Sequence, residues 1–271
     1  MKLIENKPSR IFTFGCSFTN YVWPTWANIL AFDLNLPLYN YGRGGAGNQY
    51  IFNMLMQADN YFKFNSNDLV IVCWTNISRE DRYFNGQWHT PGNIYTQQTY
   101  DSNFIKRYAD ETNHALRDLA VIKASYEFLK AKQITFHFLK ILDLQQACQW
   151  NTINGTADNR LYQQYQEYLD CICPSYYDVL WKGNVRYREE LDRIEIDPRY
   201  QNGHPMPYEH LHYLQAVFDK HKFSDYTINA VNNLNLQLIN NIRKQLDQGI
   251  AQVDMRFPNL QLTTSEAIQA V

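Results

Sequence analysis

The run Asp68–Trp74, DLVIVCW, constrains the fold of this chain more than any other stretch. A strand with one face in water alternates apolar and polar residues, whereas a strand covered on both faces is a continuous apolar, β-branched run. This run is of the second kind, so it predicts the middle of a parallel sheet with a layer on each side. Its surroundings agree. Ile11–Phe14 reads as a first strand, and "PTWANILAFDLN" as a helix with Pro24 in its first turn. "LPLYNY" reads as a short second strand and "NQYIFNMLMQADNYF" as a helix. Further on, "IKRYADETNHALRDLAVIKASYEFLKAKQ" reads as one amphipathic helix, with Ala115, Leu119, Ile122, Tyr126 and Leu129 along a stripe. "ITFHFLK" follows as a fourth strand. Alternation of this kind predicts an α/β three-layer sandwich with a central parallel sheet. Ligands of such sheets bind at the carboxyl ends of the strands.

Two stretches interrupt the pattern. Thr75 to Asn103 is polar and aromatic and reads as a long loop leaving the third strand, with Tyr83, Phe84, Trp88, Tyr95 and Tyr100 along it. Long loops at that end of a sheet serve as lids or binding surfaces, and their rings can also simply pack the loop down. Asp143 to Tyr200 is rich in Tyr, Gln and Asn and reads as partly helical. Two helices then close the pattern, "YEHLHYLQAVFDKH" and "DYTINAVNNLNLQLINNIRKQL". With no repeat and no composition shift, 1–271 is expected to be a single domain. It carries an insertion at about 75–104 and a helical C-terminal extension at about 224–250.

Composition narrows the function. Net charge is −2 and there is no basic run, against a nucleic-acid partner. No apolar stretch reaches membrane-spanning length and "MKLIENKPSR" is not a signal peptide, so a cytoplasmic protein without a membrane partner is expected. The cysteines (Cys16, Cys73, Cys148, Cys171 and Cys173) are odd in number, and a lone Cys171-Ile172-Cys173 is a weak metal signal. No metal and no cofactor are expected. Gly42, Gly44 and Gly47 fit a G-x-G-x-x-G spacing, but they follow the second strand and no acidic residue stands in a ribose position.

In "IFTFGCSFTN" the first strand runs into Gly15-Cys16-Ser17. A strand end facing the ligand crevice is the place for a nucleophile, and Gly15 permits a sharp turn there. A serine in that position needs a base, usually histidine, and donors for the oxyanion that forms. Taken alone, Ser17 could equally cap the next element.

Gly15-Cys16-Ser17-Phe18 resembles the G-D-S-L block that opens the SGNH, or GDSL, hydrolases. Three other blocks fall in the family's order. "NYGRGG" places Gly45 at the glycine after the second strand, "WTNI" places Asn76 at the asparagine after the third, and "QNGHP" gives His204 before a late helix. The likeness spans about residues 10–76 and 197–221. It implies an SGNH-hydrolase, flavodoxin-like topology and an ester-cleaving enzyme. In that reading Ser17 attacks the ester carbonyl and His204 moves the proton. The N–H groups of Ser17 and Gly45 and the amide of Asn76 form the oxyanion hole.

One block departs from the family. The D-x-x-H aspartate falls at Gln201, and Asn202 beside it is neutral too. Asp197 could fold back onto His204 as the acid, a Ser17–His204 dyad could work without a charged orienter, with Asn202 a candidate orienter, or activity has been lost. His210, six residues after His204, reads as a surface residue more readily than as one near the site. The expected function is a serine-dependent esterase acting through an acyl-enzyme on Ser17. Its expected substrate is a small-molecule or glycan ester, with an O-acetyl or other short acyl group. The alternatives are a catalytically weak or inactive binding or assembly protein and an acyltransferase of the same fold. The oligomeric state is left open.

Overall fold

The computed structural model describes residues 2–4, 7–96, 99–144, 159–181 and 202–250. Asp197, Gln201 and Cys148 lie outside the described residues, as does much of the Tyr- and Gln-rich stretch. A four-stranded parallel sheet occupies the centre, formed by β1 (Arg10–Phe14), β2 (Leu38–Asn40), β3 (Asp68–Trp74) and β6 (Thr135–Lys140) in the order β2-β1-β3-β6. This is the flavodoxin-like order that the sequence predicts. Every residue of β3 is buried, and in register Phe14 pairs with Val72 and Trp74 with Lys140.

Helices cover both faces. On one, α2 (Asn48–Phe62) packs with α4 (Glu111–Ala131). On the other, α1 (Trp26–Leu34) packs with α8 (Pro207–Val217) and α9 (Asp225–Asp247). Three short helices, α5 (Asn159–Gln163), α6 (Gln166–Leu169) and α7 (Tyr176–Trp181), lie between, and α7 packs on α8. Among the described residues, the sheet edge beyond β6 receives a single parallel bridge, Phe138 to Ile172. Among the described residues no helix is long and apolar enough to cross a membrane.

Three local readings are corrected. Pro24 does not open α1; it precedes the helix's N-cap residue, Thr25, whose N–H is held by Asn28 Oδ1 at 3.0 Å. The helix expected to run unbroken from Ile105 is split into α3 (Ser102–Tyr108) and α4, because Asp110 caps the second piece by accepting from the Asn113 N–H at 2.6 Å. An aspartate satisfies orphan N–H groups at a helix start better than it serves inside a helix. The segment read as a loop holds a hairpin, β4 (Arg82–Phe84) against β5 (Gln87–His89). Its turn is Asn85-Gly86, with φ of 52° and 77°. Left-handed conformation at both central residues suits the twist of a two-residue hairpin.

Parallel pairing fixes the amino end of the sheet with one charged contact. Arg10 and Asp68 are register partners, and the guanidinium bridges both carboxylate oxygens at 2.6 and 3.1 Å. Asp68 is buried and also accepts from the Asn65 N–H, so removing it strands a half-covered cation and a backbone donor. Asp68→Ala should lower the unfolding free energy by about 2–3 kcal/mol with an unchanged urea m-value, measured by urea denaturation.

Candidate active site

Three strand ends meet at the carboxyl rim of the sheet. After β1 the chain turns tightly, with the N–H groups of Thr19 and Asn20 both donating to the Cys16 carbonyl. Ser17 stands half-buried on this turn. Gly15 is required by crowding: a Cβ there would lie 2.0 Å from Thr19 Oγ1 and 3.2 Å from the Cys73 carbonyl oxygen. The loop after β2 docks on the same turn. Asn40 Nδ2 donates to the Thr19 carbonyl, Asn20 Nδ2 to the Gly42 carbonyl, and the Arg43 N–H to the Gly15 carbonyl.

Gly45 lies in this second loop with φ of +74°, and a Cβ on it would stand 2.1 Å from the Thr90 carbonyl oxygen. Conformation and contact therefore both demand glycine. The contact comes from the segment after the hairpin, which is tied down by Thr90 Oγ1 donating to the Gly44 carbonyl and Arg43 Nη2 donating to the Trp88 carbonyl.

Asn76 follows β3. Its carboxamide oxygen accepts from the Ser78 N–H at 2.6 Å, which fixes the orientation of the amide. The backbone just before it is gripped by Asn48, at the start of α2. Asn48 Nδ2 donates to the Thr75 carbonyl at 3.0 Å, and Asn48 Oδ1 accepts from the Thr75 N–H at 2.8 Å. Asn48 Nδ2 also donates to Asp118 Oδ2 at 2.8 Å, and Arg117 Nε donates to Asp118 Oδ1 at 2.7 Å. Asp81 accepts from the N–H groups of Gly47 and Tyr50 and so holds the start of α2. Asn48, Asp81, Arg117 and Asp118 form a buried polar scaffold under the rim that sequence reasoning missed.

His204 arrives from the far end of the chain. Pro207 occupies the first position of α8, where its missing N–H costs nothing, and Glu209 reaches back to the Met206 N–H at 2.6 Å. Trp23 Nε1 donates to the Pro205 carbonyl at 2.9 Å. These contacts hold the loop so that His204 Nε2 lies 2.9 Å from Ser17 Oγ. On the other side of the ring, Nδ1 lies 2.8 Å from Asn202 Oδ1. The structure thus brings Ser17, His204 and Asn202 together, while Asp197 lies outside the described residues.

The protonation pattern follows from one donor that has no choice. The backbone N–H of His204 donates to Asn202 Oδ1 at 3.0 Å, so that atom must be the amide oxygen. The oxygen then receives Nδ1–H as well, which leaves Nε2 unprotonated and able to accept from the Ser17 hydroxyl. Asn202 Nδ2 points the other way and donates to the Tyr21 hydroxyl at 2.9 Å. The Tyr21 ring stacks on the imidazole, with centroids 3.9 Å apart and planes 16° from parallel.

His210, expected at the surface, is buried. It meets Phe18 edge-on and its Nδ1 lies 2.9 Å from the Tyr176 hydroxyl. Burial pushes its imidazole down to about 3, with His204 adding to the effect. Burial also lowers His114 to about 4. Burial raises Asp118 to about 6, against the opposing pull of Arg117 and Asn48.

No family model matches the sequence, and no curated protein does. Solved structures do. A GDSL-like lipase from Bacteroides thetaiotaomicron shares 12% identity, over 81% of this chain and 90% of that one, with a TM-score of 0.43. A member of the lipolytic protein G-D-S-L family from Veillonella parvula shares 16% over 78% and 99%, with a TM-score of 0.40. An acetylxylan esterase from Geobacillus stearothermophilus, a catalytic mutant, shares 11% over 80% and 95%, with a TM-score of 0.43. At this distance the likeness is remote, and the chemistry must be argued from the site.

The buried groups make stability depend on acid in a defined sense. Between their lowered values and the ordinary 6.5, His114 and His210 are neutral when folded and charged when unfolded, so each loses stability as pH falls. Asp118 acts oppositely between 3.8 and about 6, since the folded chain keeps a proton the unfolded chain has released. From pH 6 to pH 4 the two histidines outweigh Asp118, so these three together cost stability as pH falls. His210→Phe should flatten that fall, read as unfolding free energy against pH.

Proposed function

We propose that this chain is a serine esterase that forms an acyl-enzyme on Ser17. The observation that carries the reading is the linear array Ser17 Oγ, His204 Nε2, His204 Nδ1 and Asn202 Oδ1, with contacts of 2.9 and 2.8 Å at the rim of the sheet. Ser17 Oγ attacks the ester carbonyl carbon as its proton passes to Nε2. The charge gathering on the carbonyl oxygen is received by the N–H groups of Ser17 and Gly45 and by Asn76 Nδ2. The intermediate collapses, the C–O bond to the alcohol breaks, and the alcohol leaves with the proton from Nε2. Water then attacks the acyl-serine by the same route. Nucleophile, base and orienter in hydrogen-bond contact are the signature of an activated serine.

Asn202 takes the place of the family's aspartate. A carboxamide oxygen accepts Nδ1–H and sets the tautomer, but it adds no negative charge to balance the imidazolium. Asparagine serves in this role beside histidine in other nucleophilic triads.

The substrate reading is a short acyl ester on a carbohydrate. A cleft of about 570 Å³ opens beside the Gly45 loop, lined by Arg43, Gly44, Gln87, Trp88, His89 and Thr90. Amide, guanidinium and hydroxyl groups beside aromatic rings suit a polyol. Part of the aromatic segment is packed down, since Trp88 meets Tyr50 edge-on. Tyr83 and Phe84 stay 60% and 49% exposed; one face of Phe84 stacks on His89 and Tyr83 meets Trp88, and the exposed remainder of both rings is open to a sugar ring.

A fluorophosphonate probe should label the wild-type protein at Ser17 and fail to label Ser17→Ala, read by intact mass and peptide mapping. Asn202→Ala should slow labelling about 10²-fold. If the folded wild-type protein neither labels nor turns over short acyl esters, the reading of a binding or assembly protein on this fold replaces the enzyme.

A further inference from the structure

The contacts of Tyr21 differ from ordinary packing. Its ring lies flat against the imidazole of His204, its edge meets Trp23 at 4.5 Å, and its hydroxyl receives Asn202 Nδ2. One residue thus touches both groups that would prepare Ser17. It also follows Ser17 by four residues, just past the same turn.

We propose that Tyr21 is a positioning residue that completes the site: its ring fixes the plane of the His204 imidazole and gives the imidazolium a negative π face, and its hydroxyl fixes the Asn202 carboxamide. The inference rests on the esterase reading above. Its physical basis is the positive charge that His204 takes on with the Ser17 proton. When Ser17 attacks, His204 becomes a cation. An aromatic face stacked on a cation stabilises it by electrostatic attraction to the ring quadrupole, more strongly where water is excluded. Ser17, Tyr21, Asn202 and, across Phe18, His210 face His204. His210 is buried and stays neutral near physiological pH, so it adds no positive charge against the His204 imidazolium.

The hydroxyl and the ring can be separated by substitution. Tyr21→Phe keeps the face and loses the acceptor for Asn202 Nδ2. Tyr21→Leu loses both while filling the space with apolar atoms. The measurement is the second-order rate of fluorophosphonate labelling of Ser17 against pH, together with an NMR titration of the His204 ring in the same variants. Tyr21→Leu should label about 10-fold more slowly, and its acid limb and its His204 titration should both move to lower pH by about half a unit to one unit. Tyr21→Phe should label within about 3-fold of wild type, with its midpoint unmoved.

A Leu variant that is slower but has an unmoved midpoint means that Tyr21 only packs, and the inference falls. It falls equally if the Leu variant labels like wild type. If the wild-type protein does not label at all, the esterase reading fails. The NMR titration still decides the stacking claim by whether removing the ring lowers the His204 midpoint.

Discussion

Parallel pairing of β1 with both β2 and β3 is the constraint on which the site depends. Register places Thr13 beside Asn40 on one side and Phe14 beside Val72 on the other, so three chain segments leave the sheet at one rim. The turn with Ser17, the loop with Gly45 and the turn with Asn76 are neighbours for that reason. Pairing alone brings them close; side chains then set the distances. Asn40 and Asn20 lace the first two loops together. Asn48 reaches from α2 to satisfy both backbone groups of Thr75, as a neighbouring strand would. Buried backbone groups need such partners, and β3 runs out of strand partners where Asn48 takes over.

The histidine is held differently. It belongs to no strand and is separated from Ser17 by 187 positions. Pro207, Glu209 and Trp23 define where its loop ends, and behind them lies a small second core of Trp23, Met206, Leu234, Leu238 and Ile242. Val231, Leu234, Leu238 and Ile242 lie buried along one face of α9. Val231 joins the main core, and the residues after it cover the loop that carries His204.

The sheet was legible because its strands are buried on both faces and have little freedom to look like anything else. Asp68–Trp74 matches the observed β3 to the residue. Legibility ended where a polar side chain overrode periodicity. Asp110 broke a helix whose stripe ran on, and Asn85-Gly86 folded a hairpin from three-residue strands too short to show alternation. Some missed residues did leave a trace. Asp118 sits between Ala115 and Leu119 on an apolar stripe, and His210 shares the apolar face of Leu214 and Val217. Polar groups on such faces are buried groups with partners still to be found. Asn202 was harder to read, because the family spacing points one residue earlier. The turn in which its oxygen accepts the His204 N–H shortens the reach, so a residue two positions away faces the ring.

The contact between Gly45 and Thr90 couples the added hairpin to the loop beneath it. The carbonyl of Thr90 rests where a side chain on Gly45 would be. The ornament on the sheet is therefore wedged against a backbone that can neither grow a methyl group nor turn to another conformation without moving it. Drift in the hairpin's outer residues is cheap, because Tyr83 and Phe84 face solvent. Drift at its root is not, and descendants of this chain should vary at the hairpin's tip while keeping the joint that fastens it.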